Sequence, residues 1–302
     1  SFDTDTLKTI KENATGDVSI SVRLADTSSL SEEAQAKIGG RPVYDFTITS
    51  GNTTISDFGG GKATLSIPYT LTDGEDPNCI VIYYISDSGE LIAVPNCVYD
   101  TATGIASFTT THFSTYAVAY NGVTFSDVSG WYENYVKSLA ARGIMNGTGD
   151  SNFSPDANIT RAEFVTILAR LSGNDLSGYK TSSFSDVAAN DWYFAAVQWA
   201  YANGVATGSE GKFDPNAGIT RQDIAVMIMR YAEKVEDYEL PESNSAVTFT
   251  DSASIASYAA EAVTALQRAG IIGGNPNGSF APLANATRAQ AAKMIALLMQ
   301  SM

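Results

Sequence analysis

The sequence predicts an α+β protein in two parts: an N-terminal antiparallel β-sandwich, then an all-α body of three helix-loop-helix repeats packed about a pseudo-threefold axis. Three observations predict it. Apolar residues alternate with period two from Asp17 to about Tyr120. From Asn121-Gly122 to the end they recur at three and four. One ordered run of landmarks, closing on a Thr-Arg pair, occurs three times in that second stretch. Alternation marks half-buried strands and three-four spacing marks helices. A repeat of this length marks units that bury their apolar faces against one another. The boundaries follow as 1–121 for the sandwich and 122–178, 179–242 and 243–302 for the repeats.

Residues 1–16 are polar with a helical tendency, and 27–39 add a short helix. Strands are predicted over Val18–Val22, Val43–Ile48, Ala63–Ile67, Cys79–Ile85, Ile105–Thr109 and Tyr116–Tyr120. Asp73-Gly74, Asp87-Ser88-Gly89 and the stretch Asp100 to Gly104 are turn signals between them. Cys79 and Cys97, the two cysteines, are symmetric about Ser88, so a hairpin turning there sets them opposite each other. A cross-strand disulfide and two free, half-buried thiols are both compatible with that placement. Gly59-Gly60-Gly61-Lys62 lacks the spacing of a phosphate loop and reads as a turn.

Each repeat has a fixed order. A Phe-x-Asp comes first, ending at Asp127, Asp186 and Asp251. An aromatic follows at the start of the first helix: Trp131, Trp192, then Tyr258. That helix stops at Gly143, Gly204 or Gly270, each followed by Ile or Val, a left-handed stop with an apolar anchor. A Gly-rich turn leads to Phe-x-Pro (Phe153 to Pro155, Phe213 to Pro215, Phe280 to Pro282), then to Thr-Arg and the second helix. The Asp-to-Arg spacing is 34, 35 and 37 residues. Small loop insertions account for the drift.

Composition narrows the chemistry. The chain has 302 residues, 44% hydrophobic, enough for real cores. With 18 Lys+Arg against 33 Asp+Glu its formal charge is −15, which argues against nucleic acid and against an anionic membrane surface. No apolar run reaches the length of a membrane span, so no membrane insertion is expected. The missing initiator Met suggests a fragment or a processed chain. One histidine, His112, leaves little room for a His-based metal centre or a Ser-His-Asp triad, and no enzyme or cofactor motif is present. Asp150, Asn152 and Asp156 faintly resemble a calcium loop, but a Gly-rich turn explains them. The expectation is a binding protein without catalytic, metal or cofactor sites.

The repeated arginine carries the positive prediction. Thr160 with Glu163 forms a capping box, and Thr220 with Asp223 and Thr287 with Gln290 are weaker versions. The threonines thus have a structural reason. Arg161, Arg221 and Arg288 lack an obvious one, because a cation at the first helical position opposes the helix dipole by a few tenths to about 1 kcal/mol. An anion before the helix resolves the mismatch, since free helix amides and a guanidinium both favour a carboxylate. Trp131 and Trp192 supply flat faces for a sugar ring. Asp127, Asp186 and Asp251 can accept from sugar hydroxyls or hold the arginines. The constellation reads as a pocket for an acidic carbohydrate. The competing reading pairs each arginine with an Asp of a neighbouring repeat as an internal brace, and makes Asp127, Asp186 and Asp251 caps and the tryptophans core.

At these residues the chain resembles the S-layer homology family, over roughly 123–300. The resemblance implies an exported protein held non-covalently, at the cell wall or in an S-layer, on a secondary cell-wall polysaccharide through a pyruvylated amino sugar. By motif, Arg161, Arg221 and Arg288 become the ligand cations, with Asp127, Asp186, Asp251, Trp131 and Trp192 in the groove. Self-assembly through regions outside this sequence is compatible with it. Gln222-Asp223, Ala286, Gln290 and Tyr258 depart from the family pattern, so the three clefts are expected to bind unequally, the third least. The β-part resembles modules that precede such triplets in surface proteins. Its last strand is expected to contain His112-Phe113-Ser114, which is similar to the self-cleaving triplet of ZU5-type domains; against that stands a strand with an alternating pattern.

Overall fold

In the computed structural model, which describes residues 1–302, the chain divides into two units, Ser1–Val123 and Thr124–Met302. The first contains α1 (Thr4–Asn13), β1 (Val18–Leu24), α2 (Glu32–Ile38), β2 (Val43–Ser50), β3 (Thr53–Thr54), β4 (Ala63–Pro68), β5 (Ile80–Ile85), β6 (Leu91–Ala93), β7 (Val98–Asp100), β8 (Ile105–Thr110) and β9 (Thr115–Tyr120). One six-stranded sheet runs β1-β2-β9-β5-β6 with β3 on β2, and a second runs β4-β8-β7. All pairings are antiparallel. The central strands β5 and β9 are near-continuous apolar runs and are buried along most of their length. Phe108 of β8 meets Tyr116 of β9 with ring centroids 4.7 Å apart, which joins the two sheets in one core. Asp3 caps α1 through Thr6 N, and Ser31 caps α2 through Ala34 N.

The hairpin β5–β6 has the register Tyr83↔Ala93, centred on Ser88 as the spacing predicts. The strands part before the cysteines, and Cys79 and Cys97 are buried as thiols, fully and not by half. His112-Phe113-Ser114, expected within the last strand, instead lies between β8 and β9 and connects them. The His112 carbonyl accepts hydrogen bonds from Thr110 Oγ1 (3.0 Å) and Tyr116 Oη (2.9 Å), and no residue of the triplet has positive φ. It is a bonded strand connection. One expectation fails: β1, predicted to be half-buried, is exposed on both faces.

The second unit contains α3 (Glu133–Ala141), α4 (Arg161–Ser172), α5 (Phe194–Ala202), α6 (Arg221–Lys234), α7 (Ala260–Arg268) and α8 (Arg288–Ser301). Gly143, Gly204 and Gly270 have φ of 70°, 66° and 77°, and Ile144, Val205 and Ile271 behind them are buried. The main helix packing runs between repeats: α3 on α8, α4 on α5, α6 on α7. Backbone bonds follow the same cycle. Ile159 N donates to Ala286 O (3.0 Å), Ala286 N to Ile219 O (2.9 Å) and Ile219 N to Ile159 O (3.0 Å). The three residues are fully buried. A repeat therefore cannot satisfy its own backbone, and the third closes onto the first. Of the predicted helix stripes, Tyr201 lies outside the core, exposed with its ring edge on Phe184.

The residue between Phe and Pro is left-handed in every repeat: Ser154, Asp214 and Ala281 have φ of 57°, 55° and 57°. For a non-glycine residue this costs roughly 1–2 kcal/mol, so something must hold the turn. Replacing Ala281 by Gly removes the Cβ conflict at an entropic cost of about 0.5–1 kcal/mol. Thermal unfolding of Ala281→Gly is expected to show a midpoint raised by about 2 °C. An unchanged or lowered midpoint would show the turn to be unstrained.

Candidate functional site

What holds each turn is a two-sided clamp. Asp127 accepts from Phe153 N (2.8 Å) and Ser154 N (2.7 Å), Asp186 from Phe213 N and Asp214 N (both 2.8 Å), and Asp251 from Phe280 N and Ala281 N (both 2.8 Å). An arginine of another repeat takes the carbonyl of the same Phe. Arg288 Nε donates to Phe153 O (2.9 Å), Arg161 Nε to Phe213 O (2.9 Å) and Arg221 Nε to Phe280 O (2.8 Å). The NH2 group of each guanidinium donates to the Gly-rich turn: Arg288 to Asn146 O (2.7 Å), Arg161 to Thr207 O (3.1 Å), Arg221 to Gly273 O (3.3 Å). Each guanidinium also lies over its Phe ring, 4.7 to 4.9 Å from the centroid.

The arginines join the repeats as the competing reading has it, but through Phe carbonyls and not through an Asp of a neighbouring repeat. The helix-terminal amides, expected to be free for an anion, are taken. Arg161 N donates to Ala217 O, Ala162 N to Pro215 O and Glu163 N to Thr160 Oγ1, and the other two helices are tied in the same way. Any anion must meet the guanidinium itself. Thr160–Glu163 and Thr287–Gln290 form full capping boxes. Asp223 is too short to complete one; its Oδ2 accepts from the Thr220 hydroxyl (2.7 Å), and its Oδ1 accepts from Tyr258 Oη (2.8 Å).

Arg221 and Arg288 are buried and Arg161 partly so. Carbonyls take two nitrogens of each guanidinium without cancelling its charge. Burial pushes the Arg221 guanidinium below its usual value, opposed by the charge of Asp251. Burial does the same at Arg288, opposed by Glu163 and Asp127. Of the three, only Arg288 has an acid oxygen at ion-pair distance: Glu163 Oε1, 3.8 Å from Nη1.

Two clefts open onto these charges. One, of about 290 Å³, is lined by Arg288, Glu163, Arg170, Trp192 and the turn at Asn146-Gly147. The other, of about 360 Å³, is lined by Arg221, Gln290, Lys293, Trp131 and the turn at Gly273-Gly274. Both are at the small end for ligand sites. Trp131 and Trp192 are 58% and 66% exposed, so they are cleft walls and not core. Lys293 Nζ lies 5.8 Å from the Trp131 ring. Each cleft draws on all three repeats. The Tyr258 departure accordingly falls on the Arg161 side, where Gln222 Nε2 donates to Tyr258 Oη (3.0 Å) and that hydroxyl donates to Asp223. Asp127, Asp186 and Asp251 line neither cleft; their geometry is that of turn braces.

Arg170, Glu163, Lys293 and Gln290 enter the clefts unforeseen as ligand groups. Their signal is in the sequence: Glu163, Thr166, Ile167, Arg170 and Gln290, Lys293, Met294 follow helical spacing, so polar residues interrupt one face of otherwise apolar helices.

Comparison with known proteins identifies the repeats. The family model described as S-layer homology domain matches residues 124–165, 183–225 and 248–292. The chain is 34% identical over 256 residues to an amylopullulanase of Thermoanaerobacterium thermosulfurigenes, covering 84% of this chain and 13% of that protein. That match is longer than the second unit, so the likeness extends into the first. It is 30% identical over 160 residues to cell surface glycoprotein 1 of Acetivibrio thermocellus, covering 51% of this chain and 7% of that one. A surface-layer 125 kDa protein of Lysinibacillus sphaericus is 29% identical over 152 residues, covering 50% and 12%. The chain spans only a small part of the length of each.

The bracing carboxylates make the second unit acid-sensitive. At Asp186, burial favours the neutral form, but the amides of Phe213 and Asp214 outweigh it and the carboxyl sits below its ordinary 3.8. A group held lower in the folded state stabilises it above the unfolded value, and the contribution goes as pH falls through the folded one. The thermal midpoint is expected to fall steeply below about pH 4. Asp186→Ala should lower the neutral-pH midpoint and flatten that dependence; an unaltered pH profile would remove the brace.

Proposed function

Residues 124–292 carry three S-layer homology domains, through which the chain belongs to that family; from that premise we propose that the second unit anchors the chain non-covalently to the bacterial cell wall. It binds the acidic, pyruvylated amino sugar of a secondary cell-wall polysaccharide in clefts between repeats. The protein then sits outside the cell, at the wall or in a surface layer, in keeping with the names of two relatives. The cycle of bonds through Ile159, Ile219 and Ala286 supports a pseudo-threefold bundle of repeats bounded at 122–178, 179–242 and 243–302. The unit acts by binding and not by catalysis.

One observation carries this reading: a guanidinium at the cleft wall whose partners are carbonyls. Arg221 uses two nitrogens on Phe280 and Gly273 and keeps its charge. A carboxylate supplies the missing negative charge in a charge-assisted bond. Lys293 adds a second cation, and the exposed Trp131 face can lie against a sugar ring. In the other cleft Glu163 already offsets Arg288, so the Arg221 cleft is the tighter one. Trp192 and Arg170 complete the weaker site. Arg161, with Tyr258 tied to Asp223 beside it, contributes least. The Asp residues act indirectly, by fixing the turns that hold the arginines.

A second reading, that the arginines are braces only, is favoured by their grip on neighbouring carbonyls. Retention on purified wall polymer separates the two. The chain should be retained by native polymer and bind pyruvate-stripped polymer at least about tenfold more weakly, about 1.4 kcal/mol. Trp131→Ala and Lys293→Ala should each weaken retention while leaving the melting temperature within about 1 °C, since surface changes cost little. If native polymer does not retain the chain, the arginines are braces alone.

A further inference from the structure

The most exposed apolar feature of the first unit is β1. It is the edge strand of the six-stranded sheet, bonded to β2 on one side only. Val18, Ile20, Val22 and Leu24 are between 43% and 74% exposed. The register places them beside Ser50, Ile48, Phe46 and Tyr44 of β2, on the face where Phe46 and Ile48 enter the core. The core face thus runs past the three-stranded sheet and ends in four uncovered side chains. A free edge with an apolar stripe is a template for strand pairing unless charge, proline or a bulge blunts it. β1 has no proline, and its one charge is Arg23.

We propose that β1 is a homodimerisation edge, in which a second copy of the chain adds its own β1 antiparallel about a twofold axis at Ser21. The strand is self-complementary in that register. Ile20 lies opposite the second copy's Val22 and Val18 opposite its Leu24, so both stripes stay on one face. Ser19 lies opposite Arg23, and each Arg23 comes diagonal to the other copy's Asp17, a favourable cross-strand pair. All seven residues pair. An isologous contact of this kind needs no second surface. The strand is about 24 Å long, so the interface is smaller than a standard one, and a solution Kd on the order of 100 µM is expected. Copies tethered to one surface would meet at far higher effective concentration. The formal charge of −15 on each copy opposes association, so added salt should strengthen it.

Sedimentation equilibrium of the 302-residue chain up to about 1 mM, at about 20 and 500 mM salt, tests association. A monomer–dimer equilibrium favoured by salt is expected. Ile20→Lys, at an exposed site, should weaken it at least tenfold with an unchanged melting temperature. Ser21→Cys tests the register. Directly opposite residues have Cα atoms roughly 4.5–5.5 Å apart, within disulfide reach. Oxidation should therefore yield a covalent dimer of Ser21→Cys. Ser19→Cys, four residues out of step with its own copy and so about 13 Å away, should stay monomeric. A chain that is monomeric at 1 mM, a dimer indifferent to Ile20→Lys, or cross-linking of Ser19→Cys in place of Ser21→Cys each overturns the proposal.

Discussion

The second unit depends on the clamp around each Phe-x-Pro turn. The turn is left-handed at a non-glycine residue and needs support from both sides. An Asp of the same repeat holds its amides, and an arginine of another repeat holds its carbonyl and covers its Phe ring. The Asp bond is local, whereas the Arg bond crosses between repeats. Because the same helix also hands its first two amides to that neighbouring turn, its N-terminus is built from two repeats and cannot form in one. The threefold recurrence of the motif is therefore a statement about folding before it is one about ligands.

The clamp is also compatible with the proposal that a brace doubles as a binding group. Arg288 is partly offset by Glu163, whereas Arg221 bonds to carbonyls and a ring face, which take up hydrogen bonds and surface and leave the positive charge in place, in surroundings less polar than water. Fixed charge of that kind at a cleft wall is pre-organised for an anion, because little reorganises on binding. In a chain that is acidic overall the proposed attraction is local, and the clefts place Arg170 or Lys293 beside the buried guanidinium.

Elements with strong periodicity were legible in the sequence: the six longer strands, both short helices of the first unit and the six helices of the second. So were the glycine stops and the caps at Thr160 and Thr287. β3, β6 and β7 were not, because two or three residues are too few to show alternation. β1 showed the alternation of a half-buried strand, but its burial depends on what stands opposite, and the three-stranded sheet does not reach it. In the site, the repeat pointed to the right arginines for an incomplete reason. A motif records which residues recur but not that a Phe carbonyl 52 residues away from Arg161 is the partner. The tryptophans' exposure was equally invisible, since Trp131 and Trp192 have the same apolar character as the buried Trp199.

The central claim is that buried guanidinium charge, left open by carbonyl partners, selects a carboxylate. Calorimetric titration of the chain with a pyruvate-ketal N-acetylmannosamine glycoside, beside its methyl ester, tests it most directly, because the two differ by one charge at nearly constant shape. Binding of the acid with a loss of at least about tenfold on esterification is the predicted result. Equal affinity for acid and ester would contradict it.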